Sequence, residues 1–264
     1  MPSLERFIKV LRLFDEQATT WTVSAMAEAL GVPQSTIYRT VRSLLVAGML
    51  EAATEGRYRL GPAFIAFDRI IRLSDPLVEA GRDVLHDVAA NAGVPCVALL
   101  SRLYNDTVMC IAEESAGEAG LHSSYERGRP MPLTQGATSK VILANLPRRR
   151  LARLLAKMDK EPRDSQRPEA EEFRLELAEI RKRGYCVSRG EIDSEMVGIA
   201  APVLWNEFRI VASFSIALPS LYATDKLRNR LIASVMAGAS EIENALTERP
   251  ASNRQRSKLA MATQ

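Results

Sequence analysis

The sequence predicts an α+β protein in two parts: a small winged helix-turn-helix unit, then a larger domain of antiparallel strands with helices grouped around them. Three observations predict it. A helix, a helix–tight turn–helix and a strand hairpin follow one another within about 60 residues. A strongly apolar helix comes next, closed by Asp75-Pro76. Helical and alternating apolar patterns then mix to residue 246.

Apolar side chains at Leu4, Phe7, Ile8, Leu11 and Phe14 form one helical stripe, so a helix is expected from Leu4 to Ala18. Thr20-Trp21-Thr22 breaks it, and Thr22 can cap a second helix, Val23 to Leu30. Gly31 ends that helix, because the turn favours a residue without Cβ. Pro33 and Ser35 favour a third helix start, and Ile37, Val41, Leu44 and Leu45 give it a buried face ending near Gly48. Met49–Ala52 and Arg57–Leu60 read as short strands turned at Glu55-Gly56. These parts make a DNA-binding unit over residues 1–61, followed by a linker helix over 62–74. The linker carries Phe64, Ile65, Phe67, Ile70 and Ile71 on more than one face, as a helix that packs on a second chain would.

The larger domain is expected over residues 75–248. Leu77–Asn91 reads as a helix, Val94–Leu103 and Thr107–Ala112 as a hairpin, and Glu113–Arg129 as a long Gly- and Ser-rich loop. Helices follow at Gly136–Asn145, Pro147–Met158 and Pro168–Arg183, then strands at Tyr185–Arg189, Val197–Leu204 and Arg209–Leu218, then a helix from Thr224 to Leu246. The tail, 249–264, holds Arg254, Arg256 and Lys258 and no acid after Pro250, and is expected to be disordered.

Composition narrows the function. No apolar run reaches the roughly 18 residues of a membrane span. The N-terminus lacks a basic stretch followed by an apolar core, so a cytoplasmic protein without a membrane partner is expected. Cys96, Cys110 and Cys186 are odd in number and far apart, which argues against a disulfide framework or a zinc site. His86 and His122 stand in no catalytic motif, and there is no Gly-x-Ser-x-Gly or Walker sequence. Neither an enzyme nor a cofactor is expected. The net charge of +3 is too small to declare a nucleic-acid binder, so the distribution of charge decides.

That distribution favours double-stranded DNA. The third helix opens with Gln34, Ser35, Thr36, Tyr38 and Arg39, then Arg42, and no acid occurs between Gln34 and Leu50. Gln, Ser, Thr, Tyr and Arg on an acid-free face suit phosphates and base edges. Arg57 and Arg59 alternate with Tyr58, which puts both on one side of the wing, toward phosphate or the minor groove.

In the larger domain, Thr134-Gln135-Gly136-Ala137-Thr138-Ser139 precedes an apolar helix and leaves its first amides open to an anion such as a carboxylate. Alternation places Ser213, Ser215 and Ala217 on one strand face and Ile210, Ala212, Phe214, Ile216 and Leu218 on the other. The small face lines a cavity, or else Thr134, Thr138 and Ser139 only cap a helix and the serines face solvent.

Ser3-Leu4-Glu5-Arg6, the run Met26 to Arg39, and Gly56-Arg57-Tyr58-Arg59-Leu60-Gly61 resemble the N-terminal domain of the IclR family of bacterial transcriptional regulators. Gly128 to Leu133, Lys140 to Ala144, Arg183-Gly184-Tyr185, Glu191 and Gly198 to Val203 agree with the family in order and spacing. The resemblance implies a GAF/PAS-like effector-binding domain, a homodimer or dimer of dimers on a palindromic operator, and a small organic acid as effector. The positions it implies for the effector are Ala137, Thr138, Ser188, Gly198, Ser215 and Ala217. Several depart from better-known members. Ser188 stands where a pocket acid does, Gly198 and Ala217 where a thiol and a hydroxyl do, Thr134 for His, and Ser139 for Gly. The smaller lining implies room for an aromatic acid or a rearranged small-acid site. The alternative is a constitutive DNA-binding protein whose second domain only oligomerises.

Overall fold

The computed structural model describes residues 3–117, 124, 126–158, 169–205, 207 and 210–248. The chain divides into two compact units between Ser74 and Asp75. The tail at 249–264, His122 and part of the expected 113–129 loop lie outside the described residues.

In the first unit, α1 (Ser3–Leu11) stops well before the expected Ala18. Asp15 accounts for it: its carboxylate accepts the amides of Gln17 at 2.9 Å and Ala18 at 2.7 Å, which folds the chain into a turn that competes with the helix. Trp21–Thr22, expected only as a break, is a strand, β1. Thr22 also caps α2 (Val23–Leu30), accepting the Ala25 amide, and Gly31 ends that helix at φ 63°. The third helix, α3 (Gln34–Val46), begins after Pro33. It buries Ile37, Thr40, Val41 and Leu44 against Val10 of α1 and Met26 of α2. Arg6 donates to the buried Thr40 hydroxyl at 3.0 Å and ties α1 to α3. Strands β2 (Leu50–Ala52) and β3 (Arg57–Leu60) form the hairpin, and β1 pairs on the other side of β3, so the wing has three strands. Then α4 (Ala63–Ser74) has no buried residue, and among the described residues Ile65 stays 74% and Leu73 61% exposed.

The second unit opens on Asp75, whose carboxylate accepts the Leu77 amide and caps α5 (Pro76–Ala90). Strands β4 (Cys96–Tyr104) and β5 (Thr107–Ala116) turn at Asn105, which holds φ 53°. Residues 113–116, expected as loop, extend β5, because their backbone pairs with Cys96–Leu99 whatever their side chains. A short β6 (Pro130–Met131) closes that edge. Helices α6 (Ala137–Asn145), α7 (Arg148–Met158) and α8 (Ala170–Arg183) follow. Strands β7 (Cys186–Arg189), β8 (Met196–Trp205) and β9 (Ile210–Pro219) complete the sheet, and α9 (Asp225–Thr247) ends the described chain.

The sheet is antiparallel in the order β6-β5-β4-β9-β8-β7. Helices cover both faces. One core holds Leu77 and Val84 of α5 and Leu231 and Val235 of α9 against Leu100, Phe214 and Ile216. The other holds Val141 and Ile142 of α6 and Phe173 of α8 against Leu99, Ala200 and Ala217. Burying a side chain of this size is worth about 1.5–3 kcal/mol, so the two cores carry the domain.

Gly238 sets how closely α9 approaches: a Cβ there would sit 2.7 Å from the Phe214 ring and 2.8 Å from Val84. Gly238→Val is expected to lower stability by about 1–3 kcal/mol, the usual cost of overpacking. An unchanged midpoint in urea would contradict this packing.

Candidate functional site

Two groups of residues carry chemistry, one in each unit. In the first, the buried face of α3 fixes which side chains point outward. Gln34, Ser35, Tyr38, Arg39 and Arg42 are exposed and Thr36 is half-buried. Gln34 donates to Ser24 of α2 at 3.0 Å, and Arg39 folds back on the Ser35 carbonyl at 3.3 Å. The two wing arginines are both exposed but differ in their partners. Arg57 lies 3.4 Å from the Thr20 carbonyl and hydroxyl oxygens. Arg59 is paired with Glu51, its neighbour across the hairpin. An exposed pair of this kind is worth little and can be exchanged for phosphate.

In the second unit, the sheet rows bring the other group together. Ser188 of β7 pairs in register with Gly198 of β8, and Gly198 with Ala217 of β9. Ser215 is two residues from Ala217 along β9, opposite Ala200. The start of α6 lies over these rows. The hydroxyls of Thr138 and Ser215 are 3.1 Å apart, and the Ala137 amide donates to the Ser188 hydroxyl at 2.9 Å. The Ala137 amide was expected open; it is satisfied, because Ser188 reaches it from a strand 51 residues away. The amides of Thr138 and Ser139 belong to the first helical turn and have no helical carbonyl to bond. Ser213 and Ser215 do not face solvent: they are 0% and 2% exposed.

The helix start also carries a cation, Lys140, in its first turn. It is buried and donates to Glu176 at 2.7 Å and to Glu191 at 2.9 Å. The other Glu191 oxygen accepts the Gly136 amide at 2.8 Å. Burial works against the ammonium, but the two glutamate hydrogen bonds outweigh it and raise the Lys140 pKa above the usual lysine value. Lys140 and Glu191 both stand in segments quoted for the family resemblance; their pairing across 51 residues is what no local pattern announces.

Burial raises the Cys96 and Cys186 thiols to about 11 and the Cys110 thiol to about 12. All three are neutral near pH 7, so none is a ready nucleophile. Among the described residues, no group of three or more His, Cys, Asp or Glu could hold a metal ion, and no helix is long and apolar enough to cross a membrane.

A winged helix-turn-helix with an acid-free outer face on its third helix, joined to an α+β domain, defines a DNA-binding regulator. Comparison with known proteins agrees. Residues 3–53 match the IclR helix-turn-helix domain and residues 74–244 the bacterial transcriptional regulator IclR C-terminal domain. The chain belongs to the IclR family, and its activity is transcriptional regulation through DNA, not enzymatic turnover. It is 25% identical over 197 residues to the regulator KipR of Bacillus subtilis, covering 74% of this chain and 78% of that protein. It is 25% identical over 217 residues to XynR of Escherichia coli, covering 81% and 85%. Among solved structures, an IclR regulator from Alicyclobacillus acidocaldarius aligns with a TM-score of 0.77 at 24% identity over 93% of this chain and 99% of that one. An IclR homologue from Microbacterium hydrocarbonoxydans, complexed with 4-hydroxybenzoate, aligns with a TM-score of 0.75 at 22% identity over 94% and 100%.

The Lys140 network makes one prediction. Lys140→Met leaves two glutamates facing a buried apolar side chain, and an expected loss of about 2–3 kcal/mol follows, below the full cost of breaking a buried pair because both glutamates keep some solvent. A raised folded pKa stabilises fully below 10.5, the usual lysine value, and that share is lost as pH climbs through the folded value. Urea midpoints between pH 8 and pH 11 should therefore fall more steeply for wild type than for Lys140→Met. Parallel profiles would refute the assignment.

Proposed function

We propose that this regulator is ligand-responsive and acts in the cytoplasm. In this reading a homodimer, or a dimer of dimers, grips operator DNA through α3 and the wing. A small organic acid binds at the start of α6 and changes the DNA affinity, and so the expression of a catabolic operon. The observation that carries the reading is the buried hydroxyl cluster of Thr138, Ser188 and Ser215 gathered at a helix start, where dipole and first-turn amides favour a carboxylate. The 4-hydroxybenzoate bound to the Microbacterium homologue supports an acid of this class. The acid takes the Thr138 and Ser139 amides, with Ser215 assisting, and reaches the Ala137 amide by displacing the Ser188 hydroxyl.

A second reading has its own support. The Ala137 amide is already satisfied by Ser188, as it would be in a domain that only oligomerises and leaves DNA binding constitutive. Titration of candidate acids by calorimetry separates the two. Ser215→Ala is expected to weaken the acid roughly ten- to a hundredfold, the cost of a hydrogen bond to a charged group. DNA affinity without acid should stay as in wild type. Equal acid affinity in both proteins would remove Ser215 from the site, and no binding of any acid would favour the constitutive reading.

On the DNA side, duplexes selected from a random pool supply the operator. Arg39→Ala should cost about 1–3 kcal/mol on the selected sequence if Arg39 reads a base. Arg57→Ala should weaken all duplexes alike and flatten the salt dependence by about one phosphate contact. Wild-type affinity in Arg39→Ala, or a sequence-restricted loss in Arg57→Ala, would overturn these assignments.

The exposed apolar surface of α4 supports self-association, since each such side chain gains about 1.5–3 kcal/mol on burial. Sedimentation at micromolar concentration should give a dimer or a dimer of dimers; a monomer would contradict the reading.

A further inference from the structure

Beyond the helix start, the same face of the sheet holds buried hydroxyls to which the described residues give no strong partner. Ser213 stands two residues from Ser215 on β9 and faces the same way, since Ala212 and Phe214 on either side belong to the opposite core. Its register partner on β4 is Ser101, two residues beyond Leu99, which packs on the α6 side. Ser213 is 0% and Ser101 1% exposed; among the described residues the Ser213 hydroxyl has no hydrogen-bond partner, and the Ser101 hydroxyl has only the weak Cys110 thiol beside it. The Ser139 hydroxyl, in the first turn of α6, is likewise buried and unbonded.

The neighbours explain why these groups stay unsatisfied. On one side of Ser213 the register partner is Pro202, which has no N–H to give. Beside Ser101 on β5 is Cys110, a weak partner whose thiol already donates to the Ala112 carbonyl at 3.3 Å. The rest of this face is apolar: Val97, Leu99 and Val108 pack there. An alanine would fill either serine position without an unbonded hydroxyl, and buried polar groups left unpaired in a folded chain call for an explanation.

We propose that the acid carries a second, uncharged hydrogen-bonding group, a hydroxyl or carbonyl, about 7 Å from its carboxylate, the repeat of two residues along a strand, and that Ser213 with Ser101 receives it. The inference rests on the reading of the α6 start as the effector site and extends it to the ligand's other end. Serine hydroxyls both donate and accept, so either group fits. A second carboxylate does not, because the buried cation of this region, Lys140, is already shared by Glu176 and Glu191. A flat acid with its hydroxyl opposite its carboxyl, such as a para-hydroxylated benzoic acid, has this spacing.

Calorimetry on the full-length protein with benzoate, 3-hydroxybenzoate and 4-hydroxybenzoate tests it. In wild type, 4-hydroxybenzoate should bind about tenfold more tightly than benzoate, the effect of one added hydrogen bond, with 3-hydroxybenzoate close to benzoate. Ser213→Ala should abolish that preference and Ser101→Ala reduce it, with benzoate affinity unchanged in both. Ser215→Ala should instead weaken all three acids alike. The melting temperature of Ser213→Ala without acid should equal or exceed that of wild type, because an unbonded buried hydroxyl is removed. Equal affinity for benzoate and 4-hydroxybenzoate in wild type, or a preference that survives Ser213→Ala, overturns the second contact and leaves the acid site standing. A lower melting temperature in Ser213→Ala overturns it too, since the hydroxyl would then serve the fold. Failure of all three acids to bind wild type overturns both readings.

Discussion

Strand β9 is covered on both faces, and the rest of the second unit depends on how those faces divide the work. One face is large and apolar: Ala212, Phe214, Ile216 and Leu218 fill the core beneath α5 and α9. Because that side carries the hydrophobic burial, the other can be small and polar. Ser213, Ser215 and Ala217 occupy it, and α6 lies above them. Had both faces been apolar, the domain would be more stable and would have no polar wall. Gly238 sharpens the division, since its lack of a side chain lets α9 press on Phe214 and close the apolar side tightly. The unsatisfied hydroxyls are therefore tolerable where they are: the opposite core offsets them.

The same economy governs the first unit. Only one face of α3 is buried, and Thr40 on that face is satisfied by Arg6 and by the Thr36 carbonyl. The outer face makes few bonds within the chain, so its side chains keep donors for a partner. Wing and helix are not equivalent here. Arg59 already has a carboxylate in Glu51, whereas no acid stands along α3 to compete with phosphate for Arg39 and Arg42.

What was legible in the sequence is what local chemistry decides. Thr22 and Gly31 bound α2 because a cap oxygen and a left-handed residue are local requirements. Asp75-Pro76 starts α5 for the same reason, and β9 shows its two faces by plain alternation. The end of α1 was missed although Asp15 stood in view: a five-residue apolar stripe outweighed one turn-forming carboxylate. β1 was missed because two residues carry no period; only β3, 36 residues on, makes Trp21–Thr22 a strand. The candidate acid site was half legible. Its residue types were readable from the resemblance, but the Ser188–Ala137 and Glu191–Lys140 bonds each close a separation of 51 residues. Such bonds are properties of the packed sheet, and a strand pattern says nothing of which helix amide it will meet.

Those long-range bonds also set the terms for any switch built on this site. In the proposed function, a carboxylate entering at α6 does not meet an empty helix start. It exchanges with the Ser188 hydroxyl for the Ala137 amide, beside a Gly136 amide held by Glu191. Exchange lowers the affinity an open site would have, since the bond to Ser188 is lost as the new one forms. In that reading it also gives the acid something to act on, since Ser188 is in β7 and Glu191 in the segment joining β7 to β8, both bonded to the helix start that the acid would occupy. An acid shifts a conformational equilibrium only by the difference in its affinity for two arrangements. A site whose own hydroxyl competes with the ligand can differ between arrangements by moving β7 alone, because displacement is easy where Ser188 is drawn away and costly where it is pressed home.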